Sequence, residues 1–242
     1  MPCFYAPNLT QHPTELLISG DEHHHIRNVF RKHIGDEILL TNGEGILAKA
    51  KITEITKKET SIIVVSVNEE KISESKIAVA FALLKNKHDN LIIEKLTELG
   101  VKEFFPIVTD RTVRKPSANT TDKFEKTAIT AIKQCDNAFL PKIHKTQTFT
   151  DLLGSLTEYI PVVALEIGKH NTISEIAQNV SKPLCIIIGP EGGFSKDEVD
   201  LIDEKEISAF SLGNHILRAE TAAISSVSQL VGYYLKSNRE YY

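Results

Sequence analysis

Two glycine-bearing loops in the carboxyl-terminal third hold the residues best suited to chemistry. Gly189-Pro190-Glu191-Gly192-Gly193-Phe194-Ser195 follows the apolar run Leu184-Cys185-Ile186-Ile187-Ile188. After a charged stretch and a short second strand comes Leu212-Gly213-Asn214-His215-Ile216-Leu217-Arg218-Ala219-Glu220-Thr221. A buried strand that feeds a glycine-rich loop ending at a helix start exposes backbone N–H groups at the carboxyl edge of a sheet, where open α/β sheets bind ligands. Ser195-Lys196-Asp197-Glu198 reads as a capping box, which places a helix start directly behind the first loop. Gly192 and Gly193 are then backbone donors at a positive helix end. Two such loops so close in sequence point to one small-molecule pocket, with Glu191, Arg218 and Glu220 as charged groups at its mouth.

The elements that must position these loops follow from the pattern upstream. Strand and helix patterns alternate: a strand over Ile77–Leu84, a helix over Asp89–Leu99 closed by Gly100, a strand over Phe104–Val108, and a helix over Asp122–Cys135 with Asp122 and Glu125 as a capping pair. A strand over Val162–Leu165, a short helix over Ser174–Val180 and a final helix from about Ala219 to Lys236 complete the series. Ala223, Val227, Leu230, Val231 and Tyr234 form one stripe of that last helix; such a stripe is core, with a share of it open to a dimer face. Alternating elements of this kind give an α/β fold with a mostly parallel sheet covered on both faces.

The first third reads differently. Glu37–Thr41, Ile46–Ile52 and Ser61–Val67 are short strands, with Lys49 and Lys51 alternating against Ala48, Ala50 and Ile52, and Asn42-Gly43 is placed as a hairpin turn. This predicts a small antiparallel β-barrel. Gly43-Glu44-Gly45-Ile46-Leu47-Ala48 matches a dinucleotide-binding fingerprint, but the following residues alternate with period two instead of opening a helix, so the match is rejected. Polar residues 68–76 read as a linker, and the domains divide as residues 1–72 and 73–242.

A helix over Asp21–His33 interrupts the small barrel, with Ile26, Val29 and Phe30 as its buried stripe and Arg27 and Arg31 one turn apart on another face. The stretch from His23 to His33 holds no acidic residue. Two readings fit: a basic strip of His25, Arg27, Arg31 and Lys32 that meets RNA phosphates, or an ordinary solvated face. His23-His24-His25 does not suit a metal, because adjacent helical side chains diverge by about 100° whereas chelating pairs sit at i and i+4. Arg111, Arg114 and Lys115 lie in a second basic segment with little apolar content, either an RNA-contacting loop or a solvated one.

Composition sets outer bounds. Across 242 residues the apolar share of 41% and charged share of 25% are those of a folded globular chain. A net charge of -4 supplies no global attraction to nucleic acid, so any such partner is held by local patches. The 3 cysteines, Cys3, Cys135 and Cys185, make neither a disulfide framework nor a zinc ribbon. No basic and apolar leader opens the chain and no uncharged run is long enough to span a bilayer, so a cytoplasmic protein without a membrane partner is expected. A phosphotransferase would need a G-x-x-x-x-G-K-[ST] loop, which is not there.

The two carboxyl-terminal loop sequences together resemble the cofactor motifs of the SPOUT methyltransferases. More narrowly, the chain is similar to the branch of that family that methylates uridine N3 in 16S rRNA. Further points of resemblance are His23-His24-His25 leading to Val29-Phe30-Arg31 and Gly35-Asp36, Thr97-Glu98-Leu99-Gly100-Val101 with Pro106, and the positions of Arg111, Gln134 and Pro141. The resemblance covers nearly the whole chain, and the two loop motifs are its most specific part. At one place the chain departs from the family: Cys135-Asp136-Asn137 follows Gln134 where the family has a small residue, Gly and Arg, which removes a positive charge that Lys133 or Lys142 would have to replace.

The resemblance implies a PUA-like or OB-like amino-terminal barrel and a carboxyl-terminal SPOUT domain threaded into a deep trefoil knot. It implies S-adenosylmethionine as cofactor, a homodimer whose second subunit completes the pocket, no metal, and 16S rRNA or the assembled small ribosomal subunit as partner. Carried over position by position, the resemblance puts Leu165, then Gly189, Pro190 and Gly193 of the first loop, and Leu212, Gly213, Ile216, Leu217 and Thr221 of the second, around the cofactor. Uridine N3 becomes nucleophilic only as its anion, so Arg218 is expected to stabilise charge on the uracil oxygens and Glu191 or Glu220 to accept the proton. Either glutamate also fits a purely structural task at a helix cap or loop. Alternatives that share the pocket motifs are a SPOUT enzyme acting on a ribose 2′-OH or another base, and a non-enzymatic RNA-binding assembly factor.

Overall fold

The computed structural model describes residues 1–12, 14–71, 77–165, 171–180 and 182–237. Its contacts divide the chain into two compact units, Met1–Ser73 with Ile129–Leu140, and Glu74–Ala128 with Pro141–Tyr242. A linear boundary at 72/73 would leave Ile129–Leu140 in the second domain; the contacts join that segment to the first. The linker expected over 68–76 lies outside the described residues from 72 onward.

The first unit holds strands β1 (Cys3–Tyr5) and β2 (Glu15–Ser19), helix α1 (Gly20–His24), and strands β3 (Glu37–Thr41), β4 (Ile46–Ile55) and β5 (Glu59–Glu69). They form a five-stranded sheet in the order β1-β3-β4-β5-β2. The expected barrel is therefore an open half-barrel, and it is not wholly antiparallel, because β1 pairs parallel with β3. Along β4, Ala48, Ala50 and Ile52 are buried while Lys49 and Lys51 are exposed, the alternation that the strand period demands. Phe4, Ile26, Ile38, Leu40 and Ile62 join them in the core.

Two local expectations fail here for identifiable reasons. The helix stops well short of His33: after His24 the backbone opens into a π-turn over His25–Val29, closed by Phe30 N–H donating to the His25 carbonyl, and Arg31 leaves at φ 51°. Only Ile26 of the predicted stripe is buried, with Val29 57% and Phe30 51% exposed. The wider π-turn carries these side chains off the face that a 3.6-residue period assigns to them. Asn42-Gly43 is likewise no two-residue hairpin turn. Thr41 pairs with Leu47, and the Asn42 side chain accepts from the Glu44 and Ile46 amides, bracing a longer loop in which Gly43 and Gly45 both take positive φ. That loop also receives the 129–140 segment: the Gly45 amide donates to the Ala138 carbonyl and the Leu140 amide to the Gly43 carbonyl, each at 2.8 Å.

The second unit opens with β6 (Ile77–Ala82), α2 (His88–Glu98), β7 (Glu103–Val108) and α3 (Thr120–Gln134), whose last residues belong to the first unit. It continues through β8 (Lys142–Ile143), β9 (Gln147–Thr148), α4 (Phe149–Ser155), β10 (Ile160–Ala164), α5 (Ile173–Gln178), β11 (Leu184–Ile188), α6 (Lys196–Glu204), β12 (Ser208–Phe210) and α7 (Ala219–Ser237). The sheet order is β12-β10-β11-β6-β7-β8, with β9 also on β7, and each of these pairings is parallel. Every residue of β6 and β11 is buried, as expected of central strands covered on both faces. β8, β9 and α4 are too short or too polar to show a period, and the sequence reading misses them. α3 starts two residues earlier than the Asp122 capping pair requires; Ser117 and Thr120 hydrogen-bond at its start, and Asp122 lies inside the first turn.

Candidate active site

The first glycine loop is built around its own phenylalanine. A Cβ on Gly189 would stand 2.9 Å from the Phe194 ring, so only glycine lets β11 turn back over that side chain. Phe194 packs into the core beside Phe149, with ring centroids 5.3 Å apart. The Gly193 amide donates to the buried Pro190 carbonyl at 2.9 Å, and Gly193 takes φ 68°, which favours glycine. Ser195 then caps α6 as predicted: its hydroxyl accepts from the Glu198 amide at 3.2 Å, and its own amide donates to the Glu198 carboxylate at 2.8 Å.

The segment after β7 is tied to this loop. The Asp110 amide donates to Glu198 Oε1 at 3.0 Å, the Ser195 hydroxyl to Asp110 Oδ2 at 2.6 Å, and Arg111 Nη1 to the Gly192 carbonyl at 2.8 Å. Two of the three cations of that basic segment are thus tied to other parts of this unit, Arg111 at the surface and Arg114 on a buried partner. Arg111 braces the glycine loop, and Arg114 pairs with Asp89 and lies over the Phe124 ring. Lys115 stays exposed. Asp89 is fully buried, and its Oδ1 has no hydrogen-bond partner among the described residues.

β6 lies beside β11, with Phe81 opposite Ile188, so the turn that follows β6 reaches the same carboxyl edge. There the Lys85 amide donates to Glu191 Oε1 at 3.0 Å, and His88 Nδ1 lies 3.2 Å from Glu220 Oε1. Glu191 is exposed and Glu220 buried. Sequence reasoning passed over Lys85, His88 and Asp89. Their signal was positional: a polar run where a central strand gives way to a helix is where open α/β sheets place ligand-binding groups.

In the second loop Gly213 takes φ 134°, the Ser211 hydroxyl bridges to the Gly213 carbonyl, and the Leu165 amide donates to the Phe210 carbonyl. Leu165 packs against the core cluster, whereas Leu212 and Leu217 are half-buried and Thr221 is exposed. Ile216 is 77% exposed. A Cβ at Gly193 or Gly213 would meet no atom within 4 Å. The Arg218 guanidinium is exposed, with no hydrogen bond or ion pair among the described residues. The Gly193 amide expected as a free donor is engaged within its own loop by the Pro190 carbonyl, and the Gly213 amide by the Ser211 hydroxyl at 3.4 Å, so what this edge leaves open is the space beside the two glycines, the Ile216 side chain and the Arg218 guanidinium. No group of three or more His, Cys, Asp or Glu among the described residues is placed to hold a metal ion.

In the first unit, Arg27 Nη1 donates to the Thr56 carbonyl at 3.2 Å, Arg31 is exposed past the π-turn, and His25 and Lys32 are half-buried. Lys133, a candidate to replace the family's missing arginine, is held by Glu22 at 2.5 Å. Asp136, where the resemblance leads one to expect Gly, takes φ 53° and closes α3 in the left-handed conformation that glycine usually supplies.

The sequence profile described as an RNA methyltransferase domain matches residues 71–231, and one described as an RNA methyltransferase PUA domain matches residues 18–65. Ribosomal RNA small subunit methyltransferase E of Rickettsia conorii is 30% identical over 220 residues, 90% of this chain and 89% of the relative. The protein of the same name from Bacillus subtilis is 31% identical over 225 residues, 88% of each chain. A putative methyltransferase from Legionella pneumophila, solved with its bound cofactor SAM, matches with a TM-score of 0.86 and 27% identity, covering 95% of this chain and 96% of that one.

Proposed function

We propose that this chain, which belongs to the RNA methyltransferase family, is an S-adenosylmethionine-dependent methyltransferase of small-subunit ribosomal RNA, and that its target is N3 of a specific uridine in 16S rRNA. The observation that carries the reading is the carboxyl edge of the parallel sheet. The two loops that follow β11 and β12 lie at that edge, with space where a Cβ would stand on Gly193 and Gly213, an exposed Arg218 and a helix start that carries Glu220. Gly189, Pro190 and Gly193 of the first loop, Leu212, Gly213, Ile216, Leu217 and Thr221 of the second, and Leu165 behind them would hold the cofactor. When bound, it supplies a methyl group activated by a sulfonium.

The chain's own residues then have to orient the uracil, manage its charge and remove its proton. Arg218 is the cation for negative charge developing on the uracil oxygens, since a guanidinium presents paired donors to such an acceptor. Glu191 and Glu220 are the candidate proton acceptors. A target whose N3 is engaged in a base pair must be unpaired or flipped first. His25, Arg27, Arg31 and Lys32 of the first unit, and Arg111 and Lys115 of the second, are proposed phosphate contacts. Arg114 serves instead as a brace for Asp89.

Residues 1–72 are proposed as a PUA-like RNA-binding domain and 73–242 as a SPOUT domain whose end is threaded through a trefoil knot. A second copy of the chain completes the pocket, and the protein works in the cytoplasm. No helix among the described residues is long and apolar enough to cross a membrane. The test is methyl transfer from labelled S-adenosylmethionine to undermethylated small subunits and, in parallel, to naked 16S rRNA, with the labelled nucleoside identified by mass spectrometry. Label in 3-methyluridine is expected. Label in a 2′-O-methyl nucleoside would overturn the uridine assignment and keep the enzyme class, and no label on either RNA would favour the non-enzymatic alternative. A monomer by light scattering would remove the shared pocket.

A further inference from the structure

The side chain of Glu220, near the start of α7, is 11% exposed, while the His88 side chain that it faces is 41% exposed. Their contact joins Glu220 Oε1 to one particular ring nitrogen, Nδ1, at 3.2 Å. A carboxylate accepts, so Nδ1 must carry the proton, and the neutral ring is left with its lone pair on Nε2. An imidazole oriented by a carboxylate in this way is the proton acceptor of the nucleophilic triads, where the carboxylate fixes the tautomer and steadies the imidazolium.

The geometry points to His88 as the group that accepts the proton from N3 of the target uridine, with Glu220 as its positioning residue. This rests on the methyltransferase reading above and replaces the choice between two glutamates. Glu191 already holds the Lys85 amide, and Glu220 is buried behind the imidazole's Nδ1. Among the described residues at this edge, His88 combines a carboxylate on Nδ1 with a side chain open to the solvent from which an RNA base arrives. Among the described residues, the other charged groups at this edge include Lys85, Asp89 with Arg114, Arg111 on the Gly192 carbonyl, Glu191 and Arg218. Asp89 Oδ2 is held by Arg114, and Arg218 is assigned to the uracil oxygens.

In the step, the N3–H bond breaks and its proton moves to His88 Nε2. The electron pair left on N3 forms the bond to the methyl carbon as the carbon–sulfur bond breaks with its pair going to sulfur. The products are 3-methyluridine, S-adenosylhomocysteine and an imidazolium facing Glu220, which returns its proton to water.

Two measurements test this. Long-range proton–nitrogen spectra of the ligand-free protein are expected to show His88 protonated at Nδ1 and bare at Nε2, with that preference lost in Glu220→Gln; a ring protonated at Nε2 in the wild type would overturn the proposal. Single-turnover methylation by His88→Gln is expected to slow on the order of 100-fold, the usual contribution of a general base, with the Kd for S-adenosylmethionine and for RNA within about twofold of wild type. A rate within a few-fold of wild type would overturn it. So would a slow rate matched by an equal loss of RNA or cofactor affinity, since His88 would then be a binding group. If the wild type makes no 3-methyluridine, the methyltransferase reading fails instead, and the spectra of the free protein still report whether the dyad exists.

Discussion

Arg114 and Lys115 are neighbours of the same type, yet the structure separates their roles. Arg114 neutralises a fully buried Asp89, so Arg114→Ala leaves a carboxylate without compensation and is expected to cost about 3–5 kcal/mol. Lys115→Ala, at an exposed position, is expected to stay within about 0.5 kcal/mol. Urea titration of both variants checks the contrast. Arg218→Ala belongs to the chemistry instead: turnover is expected to fall about 100- to 1000-fold, as when an oxyanion donor is removed, with cofactor affinity retained by calorimetry. Glu103 carries a pH prediction. Burial resists its ionisation, but hydrogen bonds from His144 at 2.7 Å and Tyr159 at 2.7 Å outweigh that and hold its pKa below the ordinary carboxylate value. A lowered pKa contributes stability that is present above the unfolded value, about 4.3, and is lost as pH falls through the folded one. Glu103→Gln should therefore be less stable by about 1–3 kcal/mol at pH 7. Its stability should also fall less steeply below about pH 4 in acid-unfolding curves.

Helix ends decide much of what the elements do. The π-turn after α1 means that Arg27 and Arg31 do not share a helical face, so any phosphate contacts they make are separate ones. At the end of α3, Asp136 holds the left-handed backbone conformation that glycine usually supplies. An aspartate tolerates φ 53° better than most residues, but glycine tolerates it without a Cβ penalty. Asp136→Gly is expected to raise stability by up to about 1 kcal/mol and Asp136→Val to lower it by about 1–2 kcal/mol, read as shifts of the urea midpoint at constant m-value.

For the whole molecule, a net charge of -4 sets general repulsion from RNA against local cationic groups. RNA affinity is expected to fall steeply with salt, with a slope of about 0.7 for each single-stranded phosphate neutralised. Replacing Arg27 or Lys115 by alanine should lower the size of that slope by about 0.7 each, measured by filter binding across a salt series. A flat response would leave the phosphate contacts without support.

How much was legible before the structure varied with the range of the forces involved. The capping box at Ser195, the buried runs of β6 and β11 and the alternation of β4 depend on neighbours in sequence, so their residues alone determined them. The two glycine loops were readable as turns at the carboxyl ends of strands, because a buried strand, glycines and a helix start are adjacent along the chain. The half-barrel's parallel strand β1, the turning of Arg114 onto Asp89, the grip of Asp110 on Glu198 and the facing of His88 and Glu220 join residues far apart in the chain. Such pairings depend on which strands lie side by side and which loops share an edge. No local periodicity carries that information, and only the packed sheet decides it.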